Sequence, residues 1–336
     1  MRRLLCTTLL FSAGLAHAEV PRVATDIAPV HSLVSMVMQG AGSPDLIIPP
    51  GASPHSYAMR PSEARAVAKA DLVVWVGPSL APWLEEPMSS LAQGAERLTL
   101  QRVEGIRLLT NRSGVAFEAH DHGDHEGHED HDGHDDHAEH DDHEGHDHAD
   151  HADHDDHDHD AHEEADAHAG HNHAPGALDP HIWLDPQNAV VWLDAIAASL
   201  SAQDPENADL YADNAAQAQA QLVDLQADIQ AELTPLRGQK FVVFHDAYHY
   251  FEARFDVEAS AAISLSDGAA PSAARLAEVR DVVKDTQAAC VFTEPQFNAG
   301  LVDALQDGTA LKSASLDPIG AALEPGVDMY PALLRD

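Results

Sequence analysis

The residues with the clearest capacity for chemistry are histidines, 25 of them in 336 positions. Apart from His17 near the N-terminus, they fall into two populations. Nineteen lie between Glu118 and His173, interleaved with 23 of the chain's 57 acids and with no Lys or Arg. These are His120, His122, His125, His128, His131, His134, His137, His140, His143, His146, His148, His151, His154, His157, His159, His162, His168, His171 and His173. Imidazole suits borderline ions such as zinc, copper, nickel and cobalt, whereas calcium and magnesium take oxygen donors. The tract therefore reads as a set of weak auxiliary sites for borderline transition metals. Crowded carboxylates keep part of its imidazoles protonated near neutrality, so capture there releases protons and weakens in acid.

The second population, His31, His55, His181, His245 and His249, is dispersed through ordinary sequence. His55 lies in a loop just past an expected strand at 45–48, and His245 directly follows one at 241–244. His181 sits between Pro180 and Pro186 in Asp179-Pro180-His181-Ile182-Trp183-Leu184-Asp185-Pro186. Asp317 ends a further short strand in Ser315-Leu316-Asp317-Pro318. Loops at the carboxyl ends of parallel strands are where open α/β sheets hold ligands. Three imidazoles with one carboxylate or water make a tetrahedral zinc site. His55 and His181 from one half would meet His245 and Asp317 from the other, with the ion between. His31, on an expected helix at 29–38, reads as a capping or supporting residue, and Trp75, Trp83 and Trp183 read as packing residues. A rival is His245-Asp246-Ala247-Tyr248-His249, which imitates the H-E-x-x-H motif of zinc proteases and would make Asp246 a general base. That motif requires a helix, whereas this run follows a strand.

The elements that must hold these groups alternate between short apolar runs and helical periodicities, the pattern of an α/β chain with largely parallel sheets. Strands are expected at 22–27, 45–48, 72–76, 241–244, 289–293 and up to 316. Helices are expected at 29–38, 62–70, 83–92, 187–200, 208–233 and 273–286. The helix at 208–233 would be about 39 Å long at 1.5 Å per residue and serves as a stiff strut between two lobes. Pro61-Ser62-Glu63-Ala64-Arg65 and Pro271-Ser272-Ala273-Ala274-Arg275 each precede a helix and a strand, a faint internal repeat with Ser placed to cap. The expected divisions are a leader at 1–18, an N-terminal lobe at 19–118, a tract at 119–173, the remainder of that lobe at 174–203, a linking helix at 204–234 and a C-terminal lobe at 235–336.

Arg2 and Arg3, an apolar run from Leu4 to Phe11, and Ala16-His17-Ala18 have the order of a cleavable secretory signal. Nothing in the chain has the charge-free length of a membrane span. Without the leader only Cys290 remains, so no intrachain disulfide can form. In the tract nearly every apolar residue is Ala, too little to offset the entropy of ordering, so a disordered loop is expected. The formal charge of −39 argues against nucleic acid and anionic membranes as partners and is compatible with cations.

The dispersed residues lie in a series of motifs. They are Pro50-Gly51-Ala52-Ser53-Pro54-His55-Ser56-Tyr57 with Arg60-Pro61-Ser62, Asp71-Leu72-Val73-Val74-Trp75-Val76-Gly77, Asp179-Pro180-His181-Ile182-Trp183-Leu184, Phe244-His245-Asp246-Ala247-Tyr248, Phe292-Thr293-Glu294-Pro295-Gln296-Phe297, and Leu316-Asp317-Pro318. In that order the series resembles the zinc-specific solute-binding proteins of ABC importers, the ZnuA family. The resemblance covers nearly all the chain beyond the leader. It implies two Rossmann-like lobes joined by a rigid helix, with Zn2+ as the transported ligand between them and His55, His181 and His245 as its ligands. It also implies a monomeric, periplasmic, non-enzymatic protein whose partner is a membrane permease. In manganese-binding relatives the position of His245 is usually a carboxylate, so histidine here favours zinc. Some zinc members have Glu where this chain has Pro54, which leaves Asp317 or water for the fourth position. Members with a disulfide pair the cysteine matching Cys290 with a second one that is missing here. A metal store that uses the tract alone is the other reading.

Overall fold

Short apolar runs with no polar alternation, such as Leu-Val-Val-Trp at 72–75, suit strands covered on both faces, and such strands pair in parallel. The computed structural model describes residues 19–112, 114, 117, 176–264, 271–297, 300–306 and 311–336. The leader and the histidine tract lie outside them. The described residues belong to one compact unit, Met1–Glu118 with Gly170–Asp336. Within it β1 (Val23–Thr25), β2 (Asp45–Leu46), β3 (Leu72–Trp75) and β4 (Glu96–Thr99) form a sheet of order β2-β1-β3-β4. A second sheet, β5 (Phe241–His245), β6 (Ala259–Ser264), β7 (Cys290–Thr293) and β8 (Lys312–Ser315), has order β6-β5-β7-β8. Every pairing is parallel. The two sheets thus repeat one winding, which gives the faint sequence repeat a structural counterpart.

The helices are α1 (Ala28–Val37), α2 (Pro61–Lys69), α3 (Glu85–Leu91), α4 (Pro186–Gln203), α5 (Ala208–Leu233), α6 (His249–Phe255), α7 (Ala273–Thr286), α8 (Gly300–Gln306) and α9 (Met329–Arg335). Helix α5 buries Tyr211, Ala215, Ala218, Leu222, Leu225 and Ile229. That spacing of three and four residues is a single stripe of a helix. The stripe packs along α4 and reaches α1 beside the first sheet and α6 beside the second. Strand β5 alternates as period two demands: Val242 and Phe244 enter a cluster with Val279 of α7, while Val243 joins the large core shared with the first sheet. Both sheets therefore rest on one continuous apolar body.

The two Pro-Ser pairs cap differently. Ser272 does cap α7, its Oγ accepting from Arg275 N at 3.1 Å. In α2, Pro61 is already helical and the Arg60 N–H donates to Glu63 at 2.6 Å. Helices α5 and α7 fall at the expected bounds. Strands β4 and β6 and helices α6, α8 and α9 were not anticipated. β6 reads Ala-Ser-Ala-Ala-Ile-Ser, a composition in which only Ile263 favours a strand, and its place beside β5 makes it one.

Candidate metal centre

His245 is the last residue of β5 and is 4% exposed. Its ring Nδ1 lies 2.7 and 2.8 Å from the two carboxylate oxygens of Glu294. Glu294 follows β7, the neighbour of β5 on the side where the strand order reverses. That reversal is the place where open parallel sheets present ligands. His181 precedes the 3-10 turn Ile182–Leu184. Asp179 Oδ1 accepts from its backbone N–H at 3.0 Å and from its ring Nδ1 at 2.9 Å.

The Nε2 atoms of His181 and His245 face each other at 3.4 Å. A carboxylate only accepts, so each Nδ1 carries a hydrogen, and each ring in its neutral form presents an Nε2 lone pair toward the other. A proton or a metal cation between two such nitrogens satisfies both. For a tetrahedral ion with Zn–N bonds of about 2.0–2.1 Å, two ligand nitrogens sit about 3.3–3.4 Å apart. The separation of the pair matches that distance.

His55 approaches from the first sheet, in the loop beyond β2. Trp83 Nε1 donates to Pro54 O at 2.8 Å, Ser53 Oγ accepts from His55 N at 3.3 Å, and Tyr57 meets the Trp83 ring edge-on at 5.9 Å. Gly51, at φ +81°, supplies the left-handed turn this loop needs. The His55 ring is 6% exposed and its centroid lies 5.5 Å from that of His181, which lies 5.2 Å from that of His245. The three rings, with Gly51, Trp183, Glu294 and Phe297, line a cavity of about 210 Å³. Among the described residues no three His, Cys, Asp or Glu side chains are closed at coordinating geometry around one point. His181 and His245 face each other as a pair, with His55 beside them.

Asp317 is placed differently. Its carboxylate accepts from the backbone N–H groups of Ile319, Gly320 and Ala322 at 3.2, 2.9 and 3.4 Å. It lines a separate cavity of about 440 Å³, while its neighbours Pro318 and Ile319 line the cleft. The carboxylate closes a turn. His31 Nε2 is bound to Pro44 O at 3.1 Å, and burial lowers its pKa. His249 opens α6 while His245 ends β5, so the two do not share a helix face, and His249 Nδ1 lies 3.5 Å from Asp179 Oδ2. Trp183 both packs and lines the cleft, its Nε1 donating to Pro318 O at 2.7 Å. The nineteen tract histidines lie outside the described residues.

A family model of the zinc-uptake complex component A, periplasmic, matches residues 23–336. The chain belongs to this family. Two relatives named high-affinity zinc uptake system protein ZnuA support the membership. The one from Brucella abortus (strain 2308) is 44% identical over 97% of this chain and 92% of its own. The one from Paracoccus denitrificans (strain Pd 1222) is 46% identical over 95% and 90%. A crystal structure of ZnuA has the same two-lobed α/β fold, with a TM-score of 0.67 at 21% identity, covering 94% of this chain and 96% of that one.

Within this ZnuA-family fold, the histidines were legible from sequence, but the carboxylates that orient them were not assigned. Asp179 and Glu294 are 1% and 3% exposed. Burial alone would raise the Asp179 pKa, but hydrogen bonds from His181 and His249 outweigh it and hold this carboxyl below its ordinary range. The signal was present: Asp179 stands two residues before His181, and Glu294 follows β7 much as His245 ends β5. Ligating histidines nearly always give their other N–H to a carboxylate, carbonyl or water.

Proposed function

We propose that the protein captures one zinc ion between His55, His181 and His245 and carries it to the membrane permease of an ABC importer. The observation that carries this reading is the 3.4 Å approach of two Nε2 atoms whose Nδ1 partners are both buried carboxylates. Zinc is the cargo, and its arrival draws the His55 ring onto the ion beside the other two. Asp317, whose carboxylate also accepts from three backbone N–H groups, or a water completes the tetrahedron. The N-terminal lobe comprises 19–118 and 174–203, the linking helix 204–234, and the C-terminal lobe 235–336. Residues 1–18 direct a monomeric protein to the periplasm and are removed. The tract at 119–173 gathers zinc weakly beside the tight site.

A protease reading has no support from the geometry, because His245 and His249 belong to different elements. A storage reading leaves the paired imidazoles without a role. The test is His181→Ala, titrated with zinc by calorimetry in a chain lacking 119–173. One-to-one binding in the parent and its loss or severe weakening in the variant are expected. Unchanged affinity would show that the ligand set is wrong.

A further inference from the structure

Among the described residues, Arg112 is an arginine whose guanidinium is buried between two carboxylates, Asp246 and Glu252, and it does not belong to the three-imidazole cleft. Its side chain is 7% exposed, and those of Asp246 and Glu252 are 6% and 4%. The guanidinium binds both groups: Nε lies 3.0 and 3.2 Å from the Asp246 oxygens, Nη2 also binds Asp246 Oδ1, and Nη1 and Nη2 reach Glu252 at 2.7 and 3.1 Å. Its planar face covers the Phe117 ring at 3.8 Å. Burial works against the charge, but Glu252 and Asp246 offset it and hold the guanidinium above its ordinary pKa.

What this cluster joins gives it meaning. Asp246 is the residue after His245, in the tight turn that connects β5 to α6, where Ala247 N donates to His245 O at 2.9 Å. Glu252 lies in α6 and also accepts from Ala259 N at 3.1 Å. Arg112 belongs to the segment that runs antiparallel to the one bearing His181. Thr110 bridges Leu178, Asn111 N donates to Ala177 O at 2.8 Å, and Asp179 N donates to Leu109 O at 2.9 Å. One guanidinium thus connects the Asp179–His181 segment to the His245 turn. A bidentate fork fixes both distance and plane, which a single point charge does not.

We propose that Arg112 is the positioning residue that sets the separation of the His181 and His245 Nε2 atoms, and with it the tightness of zinc capture. The proposal rests on the zinc-capture reading. Arg112 does not touch the ion; it holds the turn that presents one ligand against the segment that presents another. Tyr250 makes a parallel tie, its hydroxyl donating to Asp179 O at 3.1 Å and accepting from Leu109 N at 2.9 Å. Loss of Arg112 therefore loosens the pair without releasing it.

The experiment uses the full chain and compares wild type, Arg112→Met and the neutral triple variant Arg112→Met/Asp246→Asn/Glu252→Gln. The triple variant removes the buried charges that would otherwise be left unpaired. Tight-site zinc affinity is read by competition with a chromogenic chelator, and the ligand field by the visible spectrum of the cobalt(II) form. Thermal unfolding of the metal-free proteins shows which variants fold. A folded variant should bind zinc about 10- to 100-fold more weakly, the range found when groups supporting metal ligands are removed, with an altered cobalt spectrum. If a folded variant keeps zinc affinity within about twofold and an unchanged cobalt spectrum, the positioning role is refuted. Failure of the zinc reading itself would show separately, as absence of a tight site in the wild type.

Discussion

Replacing Glu294 by glutamine should weaken zinc capture without weakening the metal-free fold. Glu294 is 3% exposed and places both oxygens within 2.8 Å of His245 Nδ1. Its negative charge raises the basicity of Nε2 and fixes the tautomer that offers a lone pair to the ion. Glutamine has the same shape and can still accept the Nδ1 hydrogen, but it carries no charge and can turn its NH2 toward the ring. Removing such support costs about 10- to 100-fold in metal affinity, or about 1.4–2.7 kcal/mol. The upper half of that range is expected, since the carboxylate is buried and the electrostatic interaction little screened. In the metal-free protein glutamine keeps the volume and an acceptor oxygen while removing a carboxylate that is costly to desolvate, so unchanged or higher stability is expected. The assay is chelator competition in a chain lacking 119–173, alongside urea unfolding of the metal-free form. Zinc affinity within twofold of the parent would refute the argument that this carboxylate tunes His245. A fall in affinity matched by a fall in metal-free stability would instead make Glu294 a packing residue.

Deletion of 119–173 should leave one tight zinc per chain and remove only weak additional uptake, measured by calorimetric stoichiometry; absence of stoichiometric zinc after dialysis would contradict capture in the cleft. Asp26 gives a prediction for pH. Its oxygens accept from Ile27 N at 2.8 Å and Val76 N at 2.7 Å, yet burial pushes its pKa from 3.8 up to about 7. The folded state therefore keeps this proton after the unfolded chain has lost it. The contribution is flat below about pH 4, falls as pH rises to about 7 and is flat above, for a total on the order of 4 kcal/mol. The difference in unfolding free energy between wild type and Asp26→Asn should trace that slope, and a difference constant from pH 4 to 8 would remove Asp26 as its source.

Residue context singled out His55, His181 and His245 as candidates, because each stands where a strand or a proline-bounded turn leaves a polar side chain at a sheet's carboxyl edge, and the structure brings their rings together. Long helices were equally legible: α5 and α7 carry enough local periodicity and capping to define themselves. Strand β6, with its alanines and serines, has no such local signal, and only pairing with β5 makes it extended. Asp317 illustrates the limit at the site. Its position after a strand made it the fourth candidate from sequence, beside water, and the structure adds that the chain turns back at once and three backbone N–H groups bind the carboxylate. The Glu294 contact to His245 spans 49 residues and the Arg112 contact to Asp246 spans 134. Local sequence decides which side chains can bind a metal. Which of them meet, and which carboxylates orient them, depends on packing between segments far apart in the chain, and only the tertiary structure supplies that.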